Sequence, residues 1–413
     1  MSAIVHAKQF ERMALKIGNF AAISAAYGHD IASCVVAEIG ARIAYVLDAE
    51  VCLESQGADA CLTFDSAELG RIDDELLEKL CMSVGQEPVR AGDVDILAAL
   101  SICKSSELDA AKANDRFNSD AEVTGGSDWS RRYREDMQAA CSLVSWMNRG
   151  ALDLVWRPVR SATIPASILH YEAGLRYCDR NGALRECTRE YGALQSLGLA
   201  YLVDRQFMQR ILDELENDAR PCLAIKISAQ SLNVELLGQH YVWAGVIARL
   251  RDRPDVAARL VIEISEGCGI GSIDRVKGQI ARFKRLGVAL SVAGFASSEI
   301  TFGHLMALHP DVVKMSPVFL HSGSMDEYHG RRLALLVNLA ATMARTVVID
   351  GVDGEQHMEI ARSVGAEWVT GRSVGEHAMT RGWKLSSLAS AKAVRSTGGQ
   401  AANCDVRQPR QWG

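Results

Sequence analysis

From residue 152 onward, short apolar runs alternate with stretches whose apolar residues recur at helical spacing. The runs cover residues 152–156, 168–171, 223–227, 260–264, 288–292, 312–315, 347–349 and 368–369. Each has the length and continuity of a strand buried on both faces. Amphipathic segments such as 276–286, 332–344 and 355–364 lie between most of them. Strand alternating with helix predicts parallel strands joined by crossovers. About eight strands in roughly 240 residues predicts a closed (β/α)8 barrel of the TIM type more than an open sheet.

The first 104 residues carry a different pattern, that of a smaller α/β domain. An apolar run at 15–20 predicts a strand, and Ile31, Val35, Val36, Ile39, Ile43 and Val46 give residues 23–47 helical spacing. Two extended stretches, 51–54 and 60–64, flank Gln56-Gly57 as a hairpin signal. A helix over 66–84 opens at Asp65-Ser66, and a strand over 94–102 closes the domain. Residues 105–130 are polar and rich in Asp, Ser and Gly, which predicts a linker. The barrel region is then 131–385, beginning with a helix over 129–149, and 386–413 reads as a flexible tail.

Composition narrows the function classes. With 48% hydrophobic and 23% charged residues the chain is ordinary globular material. A net charge of -6 argues against a nucleic-acid binder working through a large basic surface. The short cluster Arg131, Arg132, Arg134 reads as the exposed face of a helix start. Eleven cysteines with no CxxC pair read as buried thiols in a reducing compartment. No apolar run reaches the roughly 18–20 residues of a membrane span, and the N-terminus has no signal-peptide core, so a cytoplasmic location is expected.

Candidate chemistry appears at the strand ends. Glu172, Lys226, Glu263, Lys314 and Asp350 each follow an apolar run closely. A barrel gathers such residues at one mouth, where barrel enzymes keep their chemistry. The Gly-rich stretch 267–271 reads as a loop at that mouth, because no Lys-Ser/Thr follows to make a phosphate loop. His304 and His309 have no ligand partners at useful spacing.

Several blocks, in order, resemble the EAL domain, the cyclic di-GMP phosphodiesterase family. Tyr171-Glu172-Ala173-Gly174-Leu175-Arg176 resembles E-A-L-L-R, and Trp156-Arg157-Pro158-Val159 resembles Y-Q-P-I. Ile225-Lys226-Ile227-Ser228 resembles I-N-V-S, and Val261 to Glu266 resembles L-E-I-T-E. Leu286 to Phe295 resembles L-G-V…D-D-F-G, Lys314-Met315-Ser316 resembles K-I-D, and Asp350-Gly351-Val352-Asp353 with Gln356 resembles E-G-V-E…Q.

The resemblance implies two divalent metals that activate a water against a phosphodiester. Such hard cations want several oxygen ligands. Glu172, Glu263, Lys314 and Gln356 are the remnants of that catalytic set, and Glu172, Glu263 and Asp350 are its remnant metal ligands. Ala293 and Gly294 stand at the D-D pair, Ser316 at the aspartate of K-I-D, and Lys226 at the asparagine of I-N-V-S. No metal is therefore expected, with Mg or Mn relevant only to residual hydrolysis. Lys226 is expected to replace the metal electrostatically by neutralising Glu172 and Glu263. The candidate ligand contacts are Arg157, Glu172, Arg176, Lys226, Asp350 and Asp353. The family resemblance gives Arg176 a phosphate contact, and Arg157 adds a second charge-assisted one. Arg372 stands where the family usually has an aromatic near the base.

Residues 9–104 resemble a degenerate GGDEF domain. Phe20 to His29 follows F-K-x-I-N-D-x-Y-G-H, while Lys16 and Gly18 stand at its metal-binding aspartates. Ser24-Ala25 replaces its Asn-Asp pair, and Gly57-Ala58-Asp59-Ala60-Cys61 replaces the signature loop. The leading expectation is a catalytically inactive signalling protein that works through an unidentified protein partner. A cyclic di-GMP receptor comes second, and a residual metal-dependent phosphodiesterase third. The resemblance also implies homodimerisation through a barrel-side helix.

Overall fold

In the computed structural model the described residues are 12–47, 50–56, 60–65, 74–104, 126–234, 241–264, 273–296, 301–321 and 327–381. The signature-loop residues 57–59, most of the expected linker, the Gly-rich 267–271 and the tail from 386 lie outside them. The chain divides into two compact units that interleave along the sequence. One comprises Met1–Gly150, Cys187–Arg205 and Val234–Gly245, and the other Ala151–Glu186, Gln206–Asn233 and Val246–Gly413. The contiguous boundaries at 104, 130 and 385 do not describe this division.

The first unit contains β1 (Arg12–Ile17), α1 (Phe20–Tyr27), α2 (His29–Leu47), β2 (Val51–Gln56), β3 (Ala60–Asp65), α3 (Asp74–Gly85), β4 (Val89–Ala91), β5 (Val94–Ile96), β6 (Leu100–Lys104) and α4 (Ser127–Asn148). Its sheet runs β2-β3-β1-β6, with antiparallel pairs throughout. Three expected elements are divided in the structure. The run at 15–20 ends as a strand at Ile17, because Asn19 donates to Leu97 O (2.9 Å) and accepts from Ala99 N (2.9 Å), turning the chain into α1. The helix over 23–47 breaks at Gly28, whose φ of 95° suits glycine and whose N–H closes on Ser24 O. The strand over 94–102 splits into β5, paired with β4, and β6 in the main sheet. Arg131 pairs with Asp128 and Glu135 along α4, as expected of an exposed helix start.

The chain continues with β7 (Leu152–Ser161), β8 (Ile168–Cys178), β9 (Leu184–Glu186), α5 (Thr188–Ser196), α6 (Tyr201–Asn217), β10 (Leu223–Ile227), α7 (Ala229–Asn233), α8 (Ala244–Asp252), α9 (Pro254–Ala257) and β11 (Leu260–Ile264). There follow α10 (Ile273–Arg285), β12 (Ala289–Phe295), α11 (Phe302–Leu308), β13 (Val312–Met315), α12 (Val318–His321), α13 (Glu327–Ala341), β14 (Thr346–Ile349), α14 (Glu355–Ser363) and β15 (Trp368–Val369). Helix α5 belongs to the first unit, where it packs on α4.

Eight strands close a barrel in the order β10-β11-β12-β13-β14-β15-β7-β8, with β8 pairing back to β10. The α/β barrel expected from the alternation is therefore present, with one difference. Strand β7 runs antiparallel to both β15 and β8. Residues 162–167 link β7 to β8 without a helix, and so short a connection can only join antiparallel neighbours. Every residue of β11, β12 and β13 is buried, as parallel strands covered by helices require. Near its end β12 carries a bulge between Ala293 and Phe295, with Gly294 at φ 78° and Ala296 at φ 76°.

Candidate functional site

Strand register decides which charged residues meet at the barrel mouth. Glu263 on β11 is level with Ser291 on β12, and Lys314 on β13 is level with Ala293. Because residue 293 has no carboxylate to compete, the Lys314 side chain reaches across the barrel. Its Nζ lies 2.6 Å from Glu172 Oε1, 3.3 Å from Asp350 Oδ2 and 3.7 Å from Glu263 Oε1. Ser291 Oγ donates to the other Glu263 oxygen at 3.4 Å, and Gly351 N–H donates to Asp350 at 2.7 Å.

The charge states follow from this packing. Burial opposes the Lys314 ammonium, yet Glu172, Glu263 and Asp350 together hold its pKa well above the usual lysine range. Burial also opposes ionisation of Glu172, but Lys314 outweighs it and brings that carboxyl below its ordinary value. Glu263 goes the other way: burial, reinforced by Glu172 and Asp350, raises it, with Lys314 and Lys226 only partly compensating. Below Glu172 on the same strand, buried His170 has an Nδ1 with no hydrogen-bond partner, and burial pushes its pKa down to about 4.

A second cluster sits on β7, β8 and the segment after β15. Arg157 Nη2 lies 3.0 Å and Arg176 Nη2 3.3 Å from a single acceptor, His377 Nδ1. Arg176 also donates to Glu186 at 2.6 Å and to Leu175 O at 3.1 Å. Arg157 Nε is buried with no hydrogen-bond partner. Burial first, then the two guanidiniums, push the His377 pKa down to about 4.

A third group holds Asp353. Arg372 donates to it from its amide (2.8 Å) and pairs with it through its guanidinium (3.0 Å), while His321 lies at 3.6 Å. Burial would raise the Asp353 pKa, but the Arg372 contacts outweigh it and lower it. His321 Nε2 donates to Gly351 O (2.9 Å), and its ring lies 5.1 Å from that of His357.

With this geometry in place, the chain was compared with known proteins. The family model described as EAL domain matches residues 136–377. The chain belongs to the EAL domain family. A curated relative, the bifunctional diguanylate cyclase/cyclic di-GMP phosphodiesterase MucR of Pseudomonas aeruginosa, is 21% identical over 90% of this chain. The chain spans only 56% of that relative's length. Among solved structures, the S helix-GGDEF-EAL portion of Vibrio cholerae LapD matches at TM-score 0.51 and 16% identity, over 88% of this chain and 89% of that one. The Xanthomonas citri FimX EAL domain, solved with cyclic di-GMP, matches at TM-score 0.50 and 17% identity, over 62% of this chain and 99% of that one. The structural likenesses establish the fold.

The EAL barrel brings together Glu172, Glu263, Lys314 and Asp350, and separately Arg157 and Arg176. Lys226 must be corrected. It is exposed and forms no ion pair with Glu172 or Glu263, although its Cα is the register partner of Glu263 and its charge still reaches that carboxyl. The neutralising cation is Lys314. Gln356 lies exposed on the first turn of α14, in none of the hydrogen bonds described among these residues. Asp353 is engaged by Arg372. His304 and Thr301 form a reciprocal cap on α11, and His309 closes that helix at φ 47°, so both histidines serve the fold. His170, His321, His357 and His377 were not anticipated: each is a lone histidine in sequence, and only the fold gives it neighbours. Among the described residues no three His, Cys, Asp or Glu side chains converge as a metal site, and no helix is long and apolar enough to cross a membrane.

Proposed function

We propose that this chain is a non-hydrolysing member of the cyclic di-GMP signalling proteins, whose EAL barrel acts by engaging a protein partner. The observation that carries the reading is the lack of a carboxylate at positions 293, 294 and 316 beside Glu172, Asp350 and Glu263, which leaves Lys314 Nζ as their shared ion-pair partner. An ammonium on a β-strand thus fills the charge role that a metal would take. Ala293, Gly294 and Ser316 add no carboxylate around it. Two hard divalent cations need more oxygen ligands than this set offers, and each would have to displace or face the ammonium. The residues present do not fit a dinuclear centre. The same loss of acidic groups at Lys16, Gly18 and Ser24-Ala25 supports a non-cyclising N-terminal unit.

A second reading, a receptor that binds cyclic di-GMP without cleaving it, is favoured by Arg157 and Arg176. Two guanidiniums converge on one neutral acceptor, an arrangement able to take a phosphate oxygen. Titration calorimetry of the full chain with cyclic di-GMP, with and without Mg²⁺ or Mn²⁺, followed by assay of linear product, tests both readings. Binding without product supports the receptor. No binding leaves the protein-partner reading, to be pursued by crosslinking. Metal-dependent product would overturn the non-hydrolysing assignment.

A further inference from the structure

The environment of His377 goes beyond a pair of phosphate-contacting arginines, and it rests on the receptor reading above. The segment carrying His377 is fixed to β7 by two backbone hydrogen bonds, Trp156 N to Ala378 O (2.8 Å) and Ala378 N to Trp156 O (3.0 Å). The ring packs beside Gly174, which stands at the first leucine of the E-A-L-L-R pattern. A Cβ there would lie 3.8 Å from His377 Cδ2 and 3.5 Å from Arg176 Nη1. The imidazole is therefore built in as the shared acceptor of Arg157 and Arg176, while the buried Arg157 Nε stays without a partner. An acceptor between two cations is the place a phosphate oxygen would occupy.

We propose that His377 is an internal occupant of a two-arginine phosphodiester subsite, and that its protonation releases both guanidiniums to an incoming anion. The charged groups facing the ring are Arg157 from β7, Arg176 and Glu172 from β8, and Glu186 from β9. Glu172 is engaged by Lys314 and Glu186 by Arg176. In the free protein burial, then the two guanidiniums, hold the ring neutral down to about pH 4. A bound phosphodiester removes that repulsion and favours the imidazolium, so binding takes up a proton at any pH between the free and the bound pKa. Affinity then rises as pH falls across that window, by up to about tenfold per pH unit for one proton.

The test is calorimetry of the full chain with cyclic di-GMP at pH 7.5 and 5.5, in buffers of different ionisation enthalpy. The expected result is uptake of up to one proton and an affinity about tenfold tighter at the lower pH. His377→Gln, which keeps an acceptor that does not protonate, should bind with a flat pH profile. His377→Ala, which removes the competitor, should bind more tightly than the parent at pH 7.5, with circular dichroism checking the fold of each variant. Binding by the parent without proton uptake, or a pH slope retained in His377→Gln, overturns the role of His377 and leaves the receptor reading standing. No binding by the parent or by His377→Ala at either pH overturns the receptor reading itself.

Discussion

Replacing Lys314 by methionine tests the centre of the EAL barrel, because it removes a charge while nearly keeping the shape. Lys314 Nζ is the only group described within hydrogen-bonding distance of Glu172 Oε1, at 2.6 Å. Its loss leaves Glu172, with a side chain 15% exposed, without its ion-pair partner and with only the more distant Arg157 as a countercharge. Two routes bound the cost. If Glu172 stays ionised, breaking a buried pair costs about 3–5 kcal/mol. If it protonates instead, holding a carboxyl of ordinary pKa about 4.3 neutral at pH 7 costs about 3.7 kcal/mol, and at pH 5 only about 1 kcal/mol. The cheaper route sets the answer. Asp350 adds little, since its side chain is 24% exposed and can turn to water. Glu263 is already pushed toward its protonated form.

The pH dependence gives the experiment its discriminating power. In the parent, the folded pKa of Glu172 is depressed, so its contribution is fully present at both pH 7 and pH 5 and is lost only as pH falls through that depressed value. In Lys314→Met the folded pKa is raised, so stability is lost as pH rises above the unfolded value. Urea unfolding of parent and variant, followed through the transition of the barrel, should show a gap of about 3–4 kcal/mol at pH 7 narrowing to about 1 at pH 5. A gap below about 1 kcal/mol at pH 7, or one equal at the two pH values, would show that Lys314 is not the countercharge that holds these carboxylates.

Three further outcomes are expected. Ala296 sits at φ 76°, so Ala296→Gly should stabilise the barrel by about 1 kcal/mol in thermal unfolding, against the usual penalty for added glycine. Arg381 is 1% exposed, pairs with Glu214 at 2.7 Å and Asp218 at 3.5 Å, and lies 4.5 Å over the Trp156 ring. Arg381→Met should therefore cost about 3 kcal/mol, read as a lower midpoint in urea. A Cβ at Gly371 would come within 2.4 Å of the Val352 backbone, so Gly371→Ala should yield a barrel with a markedly lower melting temperature or none that folds.

The sequence made the barrel legible for one reason: strands covered on both faces must be continuously apolar. The runs at 223–227, 260–264 and 312–315 therefore coincide with β10, β11 and β13. The direction of β7 was not legible, because an antiparallel strand between two parallel ones has the same apolar content. Where helices and strands split, the deciding force was a hydrogen bond that the apolar pattern does not report: a local one from Gly28 to Ser24, and distant ones from Asn19 to Leu97 and Ala99. The distinction between Lys226 and Lys314 had the same character. Both follow apolar runs and both lie beside carboxylates in the motif order. Only register separates them, since it gives Lys314 a bare alanine alongside and leaves Lys226 exposed.

That register also divides the mouth of the EAL barrel into two electrostatic regimes. Around Lys314, three carboxylates share one ammonium, and burial with the neighbouring carboxylates raises the pKa of Glu263. Lys314 offsets part of that charge, and on the proposed reading it takes the place of a divalent ion. Around His377 the balance is reversed: two guanidiniums share a neutral ring and one carboxylate, Glu186. A site short of negative charge gains from an anion. If the barrel still reads a phosphodiester, the imbalance at the arginine pair is what draws it. The β7–β8 register, with Arg157 beside Glu172 and Asp153 beside Arg176, is what sets the two arginines facing the same acceptor.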